Sequence, residues 1–398
     1  MLTTAEALGR ILAAVPELPV ETVDIDRATG RILRQTVVAE RDQPAFDRVM
    51  MDGIAIAFAD VSDGMRAFAV QGRQMAGEPA GKLRRGQCLE IMTGAPLPDG
   101  ADCIVPVERV DIAAGAATLE DGYEPRERQF IHARASDYAE GDELLRPGKR
   151  ITPLDIAVIA SAGLARVEVS ASPVVRVIST GDELVAPGEP IAPHQVRMSN
   201  GAAIVSMLAD HGFTNSAHDH LPDDRDVLEQ RIAQHMEDAD VLILSGGVSM
   251  GKADYVPEVL GKLGVELVFH KVSQRPGKPM WFGMAPGDKP VFALPGNPVS
   301  ALVCCRHYVV PALDEASLRA APLPEFASLG GDVRFEPDLT CFQPVRLISN
   351  AAGQVLAVPV QTNTSGDFAA LSATDGYVEL ARERSHFPAG TPVFLHRW

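Results

Sequence analysis

The segment Ser179 to Leu184 places a hydroxyl pair, a glycine and two carboxylates side by side, in the order Ser-Thr-Gly-Asp-Glu-Leu. It follows the apolar run Val174 to Ile178, which predicts a buried β-strand. Carboxylates after such a strand can hold a hard cation such as Mg²⁺, which prefers oxygen ligands and keeps several of its waters. The alternative is that Asp182 and Glu183 only cap the loop, and for one such loop taken alone this alternative is favoured.

A second loop, Ser245 to Gly251, contains three glycines and two serines in the order Ser-Gly-Gly-Val-Ser-Met-Gly. Glycines let the backbone approach a ligand closely and turn N–H groups towards it. The hydroxyls of Ser245 and Ser249 add two further donors. The spacing matches neither a dinucleotide fingerprint nor a Walker loop, so the loop by itself is only a weak signal for an anion site.

Two further segments suit an anion. Lys271, Arg275 and Lys278 lie within one short stretch of an acidic protein, and neighbouring prolines stiffen it. Rigidly held cations suit phosphate or another oxyanion, although a solvated basic loop is the alternative. The segment Leu294 to Ser300 reads Leu-Pro-Gly-Asn-Pro-Val-Ser, and it predicts a strand, a rigid turn and a helix start with N–H groups open to a ligand.

A pair of histidines offers a competing reading. His218 and His220 share one face if their segment is a strand, and Asp223 and Asp224 follow closely. A transition-metal site is therefore conceivable. A partly exposed strand end is favoured, because nothing else in the sequence completes a set of ligands.

The elements around these segments alternate. Three apolar runs predict buried strands, and helical patterns separate them, which is typical of a parallel, doubly wound sheet with ligands at the carboxyl ends of its strands. The runs are Val174 to Ile178, Val241 to Leu244 and Pro290 to Leu294. Short alternating runs at 46–138, and others from about 312 onward, predict two β-rich regions. The predicted fold is a multi-domain α/β plus β protein.

Composition excludes several classes of function. The formal charge of −17 disfavours nucleic acid and anionic membranes as partners. The five cysteines form no C-x-x-C pair, which is typical of reduced, buried thiols in a cytoplasmic protein. The chain has no apolar run of about 18 residues that would predict a membrane span, and its N-terminus lacks the features of a signal peptide.

Thr3 and Glu6 predict a capping box that opens the first helix.

Taken together and in order, these segments resemble the MoeA/gephyrin E-domain family over essentially the whole chain. Singly the motifs are weak, but jointly they are specific. The motifs that carry the resemblance are Met51-Asp-Gly53, Met92-Thr-Gly-Ala-Pro96, Ser179-Thr-Gly-Asp-Glu-Leu184, Ser245-Gly-Gly-Val-Ser249, Ala253-Asp-Tyr255, Arg275-Pro-Gly-Lys-Pro279 and Leu294-Pro-Gly-Asn-Pro-Val-Ser300.

The resemblance implies an elongated protomer of four domains, in a homodimer whose active sites lie between protomers. Its implied reaction takes adenylylated molybdopterin and molybdate, cleaves the phosphoanhydride with a divalent cation such as Mg²⁺, releases AMP and leaves molybdenum on the dithiolene. The implied domains are a molybdopterin-binding α/β domain (1–20 and 169–311), a linking domain (21–43 and 139–168), a β-rich insertion (44–138) and a C-terminal β domain (312–398).

The resemblance also implies roles for single residues. Asp52 and Glu183 would position the metal or water. The catalytic group would be Asp52, Thr93, Asp137 and Glu183. Molybdate would be gathered by Lys271, Arg275, Lys278 and Ser365. The substrate-binding residues would be Ser179, Thr180, Gly181, Asp182, Asp223, Ser245, Gly246, Gly247, Ser249, Asp254, Pro295, Gly296 and Asn297.

Several positions depart from the family pattern. The usual Asn-Ser-Ala is Arg48-Val49-Met50, Ala135-Ser136 lacks a glycine and a glutamate, and Met198 stands where an acid is usual. Pro344 takes the place of a family arginine, and Arg346, two residues on, is expected to face the same way on a strand. The departures leave an alternative open: a catalytically impaired paralogue that binds or carries the molybdopterin cofactor. A scaffold, as in gephyrin, is a third reading, which the lack of a long linker weakens.

Overall fold

The computed structural model describes residues 1–247, 255–362, 364 and 366–398. Its helices are α1 (Thr4–Ala14), α2 (Phe58–Ser62), α3 (Pro153–Ser161), α4 (Asn200–Asp210), α5 (Arg225–Asp238), α6 (Val256–Lys262), α7 (Pro298–Cys304), α8 (Val310–Ala316) and α9 (Phe368–Leu371). A π-helical turn, Cys305–Val309, joins α7 to α8. No helix in these described ranges is long and apolar enough to cross a membrane.

The strands fall into three six-stranded sheets and several two-stranded pairs. They are β1 (Val20–Asp24), β2 (Val37–Val38), β3 (Arg48–Val49), β4 (Gly53–Ile56), β5 (Ala67–Gln74), β6 (Gln87–Ile91), β7 (Cys103–Pro106), β8 (Val110–Ala113), β9 (Ala116–Leu119), β10 (Ile131–His132), β11 (Glu143–Leu145), β12 (Arg166–Ser170), β13 (Val175–Thr180), β14 (Leu184–Val185), β15 (Val196–Arg197), β16 (Ser216–Leu221), β17 (Val241–Ser245), β18 (Glu266–His270), β19 (Gln274–Arg275), β20 (Trp281–Ala285), β21 (Lys289–Leu294), β22 (Glu325–Leu329), β23 (Val333–Arg334), β24 (Thr340–Ser349), β25 (Val355–Pro359), β26 (Gly376–Leu380), β27 (His386–Phe387) and β28 (Pro392–Arg397).

The central sheet has the order β16-β13-β17-β21-β20-β18. Strands β16, β13, β17 and β21 are parallel, whereas β20 runs antiparallel to both of its neighbours. The three predicted strands are β13, β17 and β21, so the prediction of a doubly wound α/β sheet is confirmed. The antiparallel β20 lies towards one edge, where no crossover helix is needed to return the chain.

Helices cover both faces of this sheet. Ile204 of α4 and Leu208 pack with Val177 and Ile243 in one core cluster, which also holds Ala7 and Ile11 of α1. Leu228 and Ile232 of α5 pack on the other face, together with residues of α6. Helix α1 begins at the predicted capping box, in which the Thr3 side chain and the Glu6 side chain each bond the other's backbone N–H.

The remaining parts of the chain are mostly β. The segment 53–119 forms the sheet β7-β4-β6-β5-β9-β8. The C-terminal part forms a ring in the order β24-β25-β22-β28-β26, which closes because β26 also pairs with β24. Short strands around α3 form a separate small core. The predicted combination of a central α/β unit, a β-rich insertion and a C-terminal β unit is therefore confirmed, whereas the domain boundaries given above stay a prediction.

One pairing joins the α/β part to the C-terminal ring. Strand β19 (Gln274–Arg275) lies parallel to the start of β24, with Gln274 opposite Thr340 and Arg275 opposite Cys341. The N–H of Thr340 also donates to the carbonyl of Ser273 at 2.9 Å. The basic segment is thus hydrogen-bonded to the C-terminal ring.

Candidate functional site

The carboxyl ends of β13, β17 and β21 meet at one edge of the central sheet. Ser179 lies opposite Ser245 and Ser245 lies opposite Leu294, so the loops that follow these strands are neighbours. They enclose a cavity of about 700 Å³, the strand-end cavity. Its lining includes Ser179, Thr180, Gly181, Glu183, Asn200, Asp223, Ser245, Gly246, Gly247, Pro295, Gly296 and Asn297. Most of the predicted substrate-binding residues are therefore brought together.

Asn200 links the loops of this cavity and is a residue that the sequence analysis missed. Its amide nitrogen Nδ2 lies 2.9 Å from Ser245 Oγ and 2.8 Å from the carbonyl oxygen of Gly296, and it donates to both. Asn200 is the first residue of α4, and Ser199 before it makes no side-chain cap. Asn200 could have been found from the sequence, because it is a polar residue in the first turn of a helix beside a strand-end loop.

Thr180 and the two glycines after Ser245 shape the inner wall. Thr180 is only 4% exposed, and its hydroxyl has no hydrogen-bond partner within the described ranges. A Cβ on Gly246 would lie 2.8 Å from the Thr180 carbonyl oxygen, and one on Gly247 would lie 2.8 Å from the Thr180 hydroxyl. A buried hydroxyl without a partner is costly unless a ligand or a water satisfies it, so this wall is suited to binding a polar group.

Carboxylates lie at the mouth of the strand-end cavity. Glu183 is exposed and lines the cavity together with Asp223. Asp182 does not line it. Its Oδ1 instead accepts a hydrogen bond of 3.1 Å from the N–H of Asp223 and so ties two loops together. Asp182 therefore holds the loop in place, which is the alternative to cation binding that the sequence left open.

The histidine pair braces the same edge from β16. His218 Nε2 lies 3.0 Å from Ser179 Oγ, and His220 Nε2 lies 2.9 Å from the carbonyl oxygen of Gly181. Both imidazoles share one face of an edge strand, as predicted. Burial lowers the pKa of His218, so its ring favours the neutral form. No group of three potential metal-binding side chains occurs among the described residues, and the imidazoles are used in hydrogen bonds.

A second cavity, the cationic cavity, lies between the basic segment and the C-terminal ring. Its volume is about 640 Å³, and it shares Pro279 and Asn297 with the strand-end cavity, so the two meet there. Its charged side chains are those of Arg275, Lys278, Arg334 and Asp332. Sequence reasoning missed Arg334, because a lone arginine in a short β run gives no signal.

Other predicted molybdate ligands differ in their placement. Lys271 lines neither cavity and has a left-handed backbone φ of 73°. Ser365 lies outside the described residues, as do Ser249 and Asp254 from the substrate-binding set.

Arg346 lies two residues after Pro344 on β24, and that the two side chains face the same way stays a prediction. Pro344 lines the cationic cavity, but Arg346 does not. On β24 Arg346 lies opposite Val358, one register step beyond Pro359, which is the last β25 residue to line the cavity. Arg346 is exposed and is not part of the cavity lining.

Asp52, Thr93 and Asp137 line neither cavity. Thr93 donates from its N–H and its hydroxyl to Asp52 Oδ1, each at 2.7 Å. The backbone bond first, and the hydroxyl bond second, hold the pKa of this exposed carboxyl below its usual range. His132 Nε2 lies 3.0 Å from Asp137 Oδ1. The structure thus joins Asp52 to Thr93 but does not bring either to Glu183 within one chain.

All five cysteines are buried and free, as the sequence predicts. Cys341 lines the cationic cavity, yet burial raises its pKa to about 12. It therefore remains a thiol at neutral pH and is a poor nucleophile.

Family models match three successive parts of the chain. Residues 2–163 match the "MoeA N-terminal region (domain I and II)", residues 176–315 the "Probable molybdopterin binding domain", and residues 327–397 the "MoeA C-terminal region (domain IV)". A molybdopterin molybdenumtransferase of Synechocystis sp. is 38% identical over 400 residues, which are 100% of both chains. The chain belongs to the molybdopterin molybdenumtransferase (MoeA) family.

Two other members of this MoeA family agree with that assignment. The molybdopterin molybdenumtransferase of Staphylococcus aureus is 32% identical over 98% of this chain and 93% of its own. The crystal structure of a molybdopterin biosynthesis MoeA protein from Pyrococcus horikosii superposes with a TM-score of 0.83 at 29% identity, covering 100% of this chain and 99% of that one. The resemblance stated from the motifs is confirmed over the full length.

Proposed function

We propose that this protein is a molybdopterin molybdotransferase of molybdenum cofactor biosynthesis, which inserts molybdate into adenylylated molybdopterin and releases AMP. One observation carries the proposal: the strand-end cavity and the cationic cavity meet at Pro279 and Asn297. The reaction has two substrates, a phosphoanhydride and an oxyanion. They must bind next to each other, which requires two adjoining sites. The MoeA relatives named above support the same reaction class.

The strand-end cavity would hold the pterin-phosphate and nucleotide part of the substrate. Gly246 and Gly247 leave room for close approach, and their backbone φ values of 99° and 65° lie in the left-handed region that favours glycine. The buried Thr180 hydroxyl would gain a partner in a bound phosphate. Asn200 would keep the Ser245 and Gly296 loops at a fixed distance during binding.

The cationic cavity would gather molybdate. Arg275 and Lys278 line it, and neither forms an ion pair within the described part of the chain. Cations without partners attract an oxyanion in a protein whose net charge is −17. Ser365 is assigned to molybdate by the family resemblance, and Lys271 keeps that assignment although it lies outside the cavity lining.

The residues at the mouth of the strand-end cavity fit Mg²⁺. Glu183 and Asp223 both line that cavity, and Mg²⁺ is commonly held by one or two carboxylates together with substrate phosphates and waters. When bound, the ion would offset the charge on the phosphates during phosphoanhydride cleavage. Glu183, with its exposed carboxylate, would also orient a water.

A second copy of the chain would complete the site. Asp52, Thr93 and Asp137 line neither cavity of their own chain, so a homodimer is proposed in which they reach the cleft of the partner. The two hydrogen bonds from Thr93 would keep Asp52 ionised and oriented for that role. A cytoplasmic location is part of the proposal, and the five free, buried cysteines support it.

The decisive test is AMP release from adenylylated molybdopterin by the full-length protein, with and without molybdate and Mg²⁺, followed by an assay of active cofactor. We expect release to require both additions and to yield active cofactor. Tight pterin binding without AMP release would contradict the proposal.

Two substitutions test the acids. Asp52→Ala and Glu183→Ala should lower the rate of AMP release by about a hundredfold or more while pterin binding is retained. Matched controls are Asp111→Ala in the same β-rich part and Glu189→Ala on the exposed segment after Glu183. Both controls should behave like the parent. If both Asp52→Ala and Glu183→Ala keep the parental rate, the assignment of these acids is wrong.

A further inference from the structure

The C-terminal ring presents an arginine to the cationic cavity. Arg334 ends β23 and lines the cavity together with Arg275 and Lys278. Its backbone is fixed by antiparallel pairing, with Arg334 opposite His386 of β27. The C-terminal ring thus provides a guanidinium group to the cationic cavity, and the α/β part provides a guanidinium and an ammonium group.

Asp332, the carboxylate nearest in sequence, is already engaged. Its Oδ1 accepts a 2.9 Å hydrogen bond from the N–H of Ala389, and its Oδ2 lies 3.2 Å from His386 Nε2. The Ala389 bond first and the His386 bond second lower the pKa of Asp332. Arg334 itself forms no ion pair with any described residue. Asp332 interacts with Arg334 through its charge but forms no ion pair with it, so the guanidinium group of Arg334 remains available to an anionic ligand.

The residue after Arg334 orients the other arginine. The guanidinium carbon of Arg275 lies over the ring of Phe335, 5.9 Å from its centroid. This cation–π contact restrains a long side chain, and the pairing of β19 with β24 restrains its backbone. The segment from Val333 to Phe335 therefore both adds one arginine and positions a second.

Two other positions of the C-terminal ring do not bring a positive charge into the cationic cavity. Pro344, which stands where the family resemblance leads one to expect an arginine, lines the cavity but carries no charge. Arg346 carries a charge but does not line the cavity. Arg334 is the arginine of the described C-terminal residues that lines this cavity.

We propose that Arg334 binds the oxyanion substrate in the cationic cavity and, with Arg275 held by Phe335, forms a two-arginine clamp on molybdate. This inference rests on the proposed function, because molybdate is the oxyanion of that reaction. Planar guanidinium groups donate two parallel hydrogen bonds to a tetrahedral oxyanion, which an ammonium group cannot do. Arg334 thereby takes the place left by the proline at 344.

The test is equilibrium binding of molybdate to the full-length protein, compared for the parent, Arg334→Gln, Arg334→Lys and Arg346→Gln. Loss of a charge-assisted contact should weaken molybdate binding about tenfold or more in Arg334→Gln. Arg334→Lys, which keeps the charge but not the fork, should lie between that variant and the parent. Arg346→Gln, an equal loss of charge on an exposed neighbouring strand, should match the parent. Circular dichroism and thermal midpoints verify that each variant is folded.

The outcomes separate this clamp from the transferase reaction. Parental molybdate affinity in Arg334→Gln, or an equal loss in Arg346→Gln, overturns the clamp, whether or not the parent releases AMP. Weakened binding in Arg334→Gln alone supports the clamp even if the parent releases no AMP, and in that case only the proposed reaction fails. A parent that binds no molybdate overturns the clamp, while AMP release still decides the reaction.

Discussion

His307 Nδ1 and the Tyr377 hydroxyl lie 3.1 Å apart and are hydrogen-bonded inside the contact between the α/β part and the C-terminal ring. His307 belongs to the π-helical turn, and Tyr377 to β26. The next residue of the turn, Tyr308, donates to Gln274 Oε1 in the basic segment. One short turn therefore couples the ring to the segment that carries Arg275, and π-helical turns often occur at such functional positions.

Removal of one hydroxyl tests this coupling. Tyr377→Phe leaves the buried His307 nitrogen without its partner, which should lower the free energy of unfolding by about 1–3 kcal/mol. Urea unfolding measures the change. The control is Tyr138→Phe, which removes a 3.2 Å bond to Ser161 Oγ at an exposed site and should change stability by less than about 0.5 kcal/mol. If the two substitutions lower the free energy of unfolding equally, the buried hydrogen bond contributes no more to stability than the exposed one.

The same histidine predicts a dependence of stability on pH. Burial lowers the pKa of His307 from 6.5 to about 3, with the neighbouring His396 as the second cause. Below pH 6.5 the unfolded chain binds a proton that the folded protein does not, so stability falls as pH falls. The contribution of His307 is about 1.4 kcal/mol per pH unit between pH 6.5 and 3, and it vanishes above that window.

His307→Gln isolates this contribution. Burial also lowers the pKa of His211, His218 and His270. Several histidines therefore make the free energy of unfolding of the parent depend on pH, and the variant lacks only the contribution of His307. Between pH 7 and 5 the parent should lose about 2 kcal/mol more than His307→Gln does. Equal losses, measured by urea unfolding at both pH values, would mean that His307 is protonated in the folded protein.

Much of the fold was predictable because local patterns agree with the tertiary structure. The run Val241 to Leu244 is apolar throughout, as a strand covered by helices on both faces must be, and β17 is fully buried. Thr3 and Glu6 have the side chains of a capping box, and Gly163 ends α3 with a φ of 78°. The antiparallel orientation of β20 was not predicted, because apolar runs do not encode strand direction.

The strand-end cavity was predictable from chain order alone, since parallel strands end at one edge of the sheet. The cationic cavity was not, because Arg334 and Arg275 are 59 positions apart (334 − 275) and the pairing of β19 with β24, which joins the basic segment to the C-terminal ring, gives no signal in the sequence. Whether Arg346 reaches the cavity was not predictable for a related reason. Its spacing from Pro344 predicts a shared face of the strand, but Arg346 pairs with Val358, and neither of these two residues lines the cavity.

Asn200 is expected to set ligand affinity without contributing charge. Asn200→Ala removes both donors that tie the Ser245 and Gly296 loops, so we expect binding of adenylylated molybdopterin to weaken about tenfold and stability to fall by about 1–2 kcal/mol. Asp210→Asn, at the exposed end of the same helix, is the control and should leave both unchanged. Unaltered affinity in a folded Asn200→Ala protein would mean that the loops hold their positions without it.

The lack of space for a side chain between Gly246 and Thr180 gives the last prediction. A Cβ at Gly246 would lie 2.8 Å from the Thr180 carbonyl oxygen, and the φ of Gly246 is 99°. Gly64 has a similar φ of 93° but open space around it, so Gly64→Ala measures the conformational strain alone. Gly64→Ala should lower the free energy of unfolding by about 1–2 kcal/mol and leave ligand binding intact.

Gly246→Ala should lower the free energy of unfolding further, by roughly another 1–3 kcal/mol, because β13 cannot move away from its two partner strands without breaking their pairing. It should also abolish detectable binding of adenylylated molybdopterin, since the displaced loop fills the space beside Thr180. Urea unfolding and equilibrium binding give the two measurements on the same samples. If Gly246→Ala and Gly64→Ala are equally destabilised and bind equally well, close contact at Gly246 does not shape the cavity.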